Sequence, residues 1–219
     1  MAYDTDEEQI EALKRWWDEN GTTIIVGIIL VLAVLFGTRY WDSSRLSVAE
    51  GTSDIFMQLL DQVQNDADLE VDDAELTSAQ ALHNQLKDEY DSSIYSRYSA
   101  LMMARLYVQN GDLAGAAAEL NWILDNPKLG IFQSIPEELS LTARSRLARV
   151  VLSQGDAQAA LNLLSAVEAG PFAGNFAEIQ GDAYSALGRT EEARQAYQQA
   201  LELGVNAEIV ELKLNDISS

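Results

Sequence analysis

A chain of 219 residues that is 47% apolar, with 3 Pro and 13 Gly, can bury a domain-sized core and has the composition of a globular protein rather than a disordered one. Its formal charge of −21 at pH 7 is repelled by phosphate backbones and anionic head groups, which argues against nucleic-acid binding. The absence of cysteine excludes disulfide frameworks, zinc ribbons, iron–sulfur clusters, thiol nucleophiles and an N-terminal lipid-modified cysteine, and no cofactor is expected.

Residues 1–20 carry seven acids and two bases. Thr5-Asp6-Glu7-Glu8 reads as a capping box, and Ile10, Leu13 and Trp17 then share one face of a short helix that Asn20-Gly21 ends. Such a helix seats an anchor at the membrane interface or docks a membrane partner. From Gly21 to Thr38 there is no charge, and Ile24 to Gly37 is almost wholly aliphatic. A helix of that length spans roughly 27 Å, close to a hydrocarbon core. Trp16 and Trp17 before it and Tyr40 and Trp41 after it are interfacial anchors, so a transmembrane helix over 21–39 is expected. Gly37-Thr38-Arg39-Tyr40-Trp41 is no small-x-small cleavage site, which argues against a removable signal peptide. Lys14 and Arg15 on one side balance Arg39 and Arg45 on the other, and charge alone leaves the orientation open. Ala33 and Gly37 form a small-xxx-small pair where another helix can approach closely.

Residues 40–96 read as linking helices, over 47–64 and 75–90, that could form a degenerate repeat; Ile55, Leu59, Leu60 and Val63 share a face. Between them Asp66, Asp68, Glu70, Asp72, Asp73 and Glu75 resemble a calcium loop only superficially. Val71 stands where the loop needs glycine and Thr77 where it needs glutamate, so a solvated linker is expected. His83, the one histidine, is expected on the surface or half-buried.

Residues 97–207 repeat. With Arg97, Leu141 and Gly174 as position 1, position 8 holds Ala104, Ala148 and Gly181, and position 11 holds Tyr107, Val151 and Tyr184. Position 15 holds Gly111, Gly155 and Gly188, position 20 Ala116, Ala160 and Ala193, and position 24 Leu120, Leu164 and Tyr197. This is similar to the tetratricopeptide helix–turn–helix, in which small residues let paired helices cross closely and large ones fill the space between repeats. The wider spacing of the first two copies puts extra residues around Asn126-Pro127 and Ile135-Pro136, as a longer loop or an extended helix. Residues 208–219 read as a capping helix through Ile209, Leu212 and Ile217, with Asn206 as its cap. The expected fold is all-α: one N-terminal transmembrane helix plus a tetratricopeptide-like helical-hairpin solenoid.

No motif for chemistry accompanies it. There is no Walker A sequence, Gly-x-Ser-x-Gly elbow or His-Glu-x-x-His, and a lone histidine supports neither a multi-histidine metal site nor most Ser-His mechanisms. Neither an enzyme nor a small-molecule substrate is expected. In tetratricopeptide arrays the inner face is lined by positions 2, 5, 9 and 12. These are Tyr98, Leu101, Arg105 and Val108, then Thr142, Ser145, Arg149 and Leu152, then Asn175, Glu178, Asp182 and Ser185. Leu101, Ser145 and Glu178 do not fit a lysine-and-asparagine carboxylate clamp. Arg105 and Arg149, joined by Arg144 and Arg146, are local bases in an acidic chain and the candidates for contacting a protein partner, along with Tyr98, Leu101, Val108 and Leu152; pairing with neighbouring acids is the plainer alternative.

The arrangement resembles the YfgM-type family of bacterial inner-membrane proteins, ancillary subunits of the SecYEG translocon. The resemblance rests on Gln9 through Gly21 (QIEALKRWWDENG), Arg39-Tyr40-Trp41, Arg146-Leu147-Ala148-Arg149-Val150 and Leu212-Lys213-Leu214-Asn215-Asp216-Ile217. It implies a single-pass inner-membrane protein with residues 1–20 cytoplasmic and the repeat domain periplasmic. It also implies association with SecYEG and with the membrane-anchored periplasmic chaperone PpiD, and transfer of emerging secretory and outer-membrane proteins to periplasmic chaperones. Two other readings remain: a regulator that sequesters an envelope-stress response regulator through its tail, and a scaffold of a cell-envelope complex.

Overall fold

The computed structural model describes residues 51–63, 73–129 and 133–217. The tail, the expected span with Ala33 and Gly37, and the acids from Asp66 to Asp72 lie outside the described residues. Within them the chain is a succession of helices: α1 (residues 51–63), α2 (Asp73–Glu89), α3 (Ile94–Gln109), α4 (Leu113–Asp125), α5 (Glu137–Ser153), α6 (Ala157–Ser165), α7 (Ala173–Ala186), α8 (Thr190–Glu202) and α9 (Ala207–Asp216). A 3₁₀ turn at Gly170–Phe172 leads into α7. No helix among the described residues is long and apolar enough to cross a membrane.

From α2 onward each helix packs on the next, and α5 also touches α7. The core is a row of four linked clusters rather than one centre. Leu59, Leu76, Met103 and Leu106 join α1–α3, while Leu120, Ile123 and Leu147 join α3–α5. Leu161, Leu164 and Ile179 join α5–α7, and Tyr197, Ala200 and Val210 join α7–α9. This near-neighbour packing is what makes a solenoid.

The sequence repeat explains the hairpins α3–α4, α5–α6 and α7–α8. Ala104 packs with Ala116 in the α3–α5 cluster and Ala148 with Ala160 in the α5–α7 cluster, all at most 2% exposed, while Gly181 lies under Tyr197. Each first helix ends the same way. After α5, Gly155 donates to the Leu152 carbonyl and Asp156 to that of Val151, with Gly155 at φ 92°. That is the left-handed closure glycine supplies without steric cost. Asp156 then caps α6 by accepting from the Ala159 amide at 2.9 Å, and Asp112 caps α4 from the Gly115 amide at 2.8 Å. Gly155→Ala should cost about 1 kcal/mol, read as a lower urea midpoint with unchanged slope.

The described residues between the first two hairpins, 126–129 and 133–136, are loop rather than an extension of a helix. Lys128 and Ser134 make an isolated antiparallel bridge. Arg97, only 2% exposed, holds the loop: its guanidinium donates to the carbonyls of Asn126 and Lys128 and lies 4.6 Å over the Trp122 ring. Burial lowers its pKa from the usual arginine value, with Asp91 opposing.

Three expectations change. Asp73 is not linker: the helix expected from Glu75 starts two residues earlier, and both acids lie in the first turn of α2, where negative charge favours the helix N-terminus. The capping helix α9 buries Val210 at 0%, with Leu214 and Ile217 packed beside it, while Ile209 and Leu212 are 47% and 66% exposed. Its buried face is thus the i, i+4, i+7 set starting one residue later. Asn206 occupies the cap position of α9, but its side chain makes no capping hydrogen bond.

Candidate protein-docking site

His83 is 1% exposed and so belongs to the interior, contrary to the surface or half-buried position expected. Its Nδ1 lies 2.9 Å from Ser99 Oγ and its Nε2 3.0 Å from Glu119 Oε2. The arrangement joins a serine, a histidine and an acid as a hydrolytic triad does, but with the two ring nitrogens exchanged; Ser99 is also 0% exposed and its hydroxyl bonds the Ser96 carbonyl at 2.9 Å, so no substrate can reach it. Lys87 completes the cluster, donating to both Glu119 oxygens at 3.1 and 2.9 Å from a place 4.7 Å over the Trp122 ring. Burial works against the Glu119 charge, but hydrogen bonds from His83 and Lys87 outweigh it and hold the carboxyl below its usual range. This network ties α2 to α3 and α4. Nothing local in the sequence pointed to it.

The residues expected to face a partner divide by helix face. Arg105 and Val108 of α3 and Arg146 and Arg149 of α5 come together around one cavity of about 280 Å³, floored by Leu120 and Val150. The other four go elsewhere. Leu101 is 8% exposed and part of the core, so it is not a groove residue. Leu152 packs partly buried against the α5–α7 cluster. Tyr98, 37% exposed, leans on Phe56 of α1 with ring centres 6.2 Å apart. Arg144 points into the α5–α6 seam, where it donates to the Leu163 carbonyl at 3.2 Å. Arg144 and Arg146 are two residues apart on a helix turning about 100° per residue, which sets them on nearly opposite faces.

At the cavity rim, Arg105 is exposed and its side chain makes no hydrogen bond or ion pair among the described residues. Arg146 reaches the Leu101 carbonyl at 3.4 Å. Its pKa sits below the usual arginine value, first because of burial and then because Arg105 and Arg149 are close. Arg149 touches Ser145 at 3.3 Å and makes a 3.4 Å ion pair with Glu178.

Along the third repeat the inner positions Asn175, Glu178 and Asp182 already have partners. Asn175 accepts from Ser145 at 2.5 Å, and Lys213 of α9 binds Glu178 and Asp182, both at 2.8 Å. Asp182 also accepts from the Tyr197 hydroxyl at 2.8 Å, and burial together with that bond raises the Tyr197 pKa above its ordinary value. Among the described residues no cluster of His, Cys, Asp or Glu could hold a metal ion.

Comparison with known proteins agrees with this architecture. Residues 14–219 match the family model of a tetratricopeptide repeat-like domain. The chain is 30% identical over 220 residues to a Haemophilus influenzae protein named as an ancillary SecYEG translocon subunit, covering 99% of this chain and 100% of the relative. It is 27% identical over 219 residues to an Escherichia coli strain K12 protein of the same name, covering 99% and 98%. A relative of that name from Aggregatibacter actinomycetemcomitans is 28% identical over 220 residues. With helical hairpins along the described chain and relatives matched end to end, the chain belongs to the ancillary SecYEG translocon subunit family, built on a tetratricopeptide repeat-like domain.

Proposed function

We propose that the chain is a non-catalytic adaptor tethered to the inner membrane beside the Sec translocon. The observation that carries this reading is the match along 99% of the chain to relatives named as ancillary SecYEG translocon subunits. In this reading residues 1–20 are a cytoplasmic tail, 21–39 cross the bilayer, 40–96 link to the repeats of 97–207 in the periplasm, and 208–219 cap them. The uncharged, mostly aliphatic stretch from Gly21 to Thr38 supports the tether. Tethering raises the local concentration of the repeat domain at the translocon exit, so weak contacts suffice. A prefolded helical surface also loses little conformational freedom when it binds. The domain passes emerging secretory and outer-membrane proteins to periplasmic chaperones, with the membrane-anchored PpiD as its neighbour.

Brief crosslinking in cells, followed by mild-detergent purification of the tagged full-length protein, tests this. SecYEG subunits and periplasmic chaperones are expected to co-elute. Recovery of cytoplasmic response regulators, or of cell-envelope assembly proteins without SecYEG, would overturn the adaptor in favour of the regulator or the scaffold.

A further inference from the structure

Among the described residues the inner face of the repeats is open between α3 and α5. In the third repeat, Lys213 closes over Glu178 and Asp182, so both carboxylates are paired. Between the first two repeats, Arg105, Arg146 and Arg149 gather at the mouth of the 280 Å³ cavity. In a chain of net charge −21, the acids among the described residues supply them only one long pair, from Glu178 to Arg149. Like charges crowd there, and Arg105 and Arg149 both disfavour the charge on Arg146. Beneath them lie Leu120, at 1% exposure, and Val150, at 6%, while Val108 at the edge is 44% exposed. A cation cluster over an apolar floor is complementary to a group with a negative head and an apolar body.

We propose that this cavity docks a segment of a protein partner in which a carboxylate stands beside a bulky apolar side chain, the carboxylate between Arg105 and Arg146 and the apolar group over Leu120 and Val150. The proposal deepens the adaptor reading and rests on it for the occupant being polypeptide. The space is near the lower end of small-ligand pockets, about 300 Å³, and takes side chains rather than a folded domain. A free inorganic anion would use the arginines and waste the apolar floor. An anionic bilayer would meet the net negative charge of the surrounding domain. A partner carboxylate neutralises the three arginines and leaves the rest of the acidic surface in water.

Selection of a randomised short-peptide library on the detergent-solubilised full-length protein and on its Arg105→Glu variant tests the assignment, with phosphatidylglycerol vesicles as the second probe. The expected result is enrichment of peptides carrying Asp or Glu next to Leu, Ile or Phe. Their affinity should fall about tenfold for Arg105→Glu, a change of about 1.4 kcal/mol, and should fall as salt rises. The Arg105 side chain is exposed and makes no hydrogen bond or ion pair among the described residues, so Arg105→Glu should keep the wild-type urea midpoint. Arg149→Gln gives a second, milder reading should Arg105→Glu fold poorly. Enrichment of non-acidic peptides, equal enrichment on both proteins, no enrichment, or binding only to the vesicles would each overturn the proposal. Failure here with SecYEG still co-purifying removes the cavity alone, whereas loss of SecYEG from the wild-type purification removes the adaptor reading.

Discussion

Gly181→Leu should destabilise the repeat domain by about 3 kcal/mol or more, and Gly181→Ala by about 1 kcal/mol. A Cβ built at Gly181 falls 2.5 Å from two carbons of the Tyr197 ring and 3.0 Å from a third. The ring cannot retreat: Tyr197 is 2% exposed, and its hydroxyl bonds Asp182, which itself holds Lys213 of α9. Alanine gains about 1 kcal/mol of helix propensity over glycine, and that gain is smaller than the cost of displacing the ring. Because α7 and α8 share this crossing and α9 packs on α8, the damage should spread along the C-terminal end. Urea melts should show a lower midpoint, and limited proteolysis should cut within 173–217 before the rest. Pairing Gly181→Ala with Tyr197→Leu should recover part of the loss, since the smaller side chain removes the clash. Equal stability of Gly181→Leu and wild type would mean that the helices of the third hairpin are not held at this crossing.

That crossing was legible because it is written in residue size at fixed spacing. Small residues at 104, 116, 148, 160, 181 and 193 and glycines at 111, 155 and 188 fix where helices meet and where they stop, and both effects are local. The arginine cavity was half legible. Arg105 and Arg149 occupy the same repeat position, but counting bases grouped Arg144 with Arg146, and helical phase separates them. Leu101 also shares a repeat position with Ser145 and Glu178, yet the α3–α5 core takes it in. What stayed hidden was non-local. The partners of His83 lie 16 and 36 residues away, and those of Arg97 29 and 31 away across a loop with no pattern of its own. A polar residue looks like surface until the groups that satisfy it are known. Single-residue phase errors, such as Ile209 for Val210 in α9, arise where a short helix carries apolar residues on more than one face.

The network around His83 gives the second large effect: Glu119→Ala should cost about 2–3 kcal/mol near neutral pH. Its removal leaves the imidazole Nε2, in a residue 1% exposed, without its partner, and frees Lys87 of α2 from its anchor on α4. Glu119→Gln should cost less, since the amide oxygen still accepts one hydrogen bond. The pH dependence identifies the charge. The folded-state pKa of Glu119 lies below the unfolded value of about 4.3, so its contribution is complete above that value and disappears as pH falls through the folded pKa. The stability gap between wild type and Glu119→Ala, measured by urea denaturation of the full-length protein in detergent, should therefore be constant from neutrality to about pH 5 and shrink below about pH 4. A gap that does not shrink would mean that Glu119 acts through packing and neutral hydrogen bonding, not as the carboxylate joining α2 to α4.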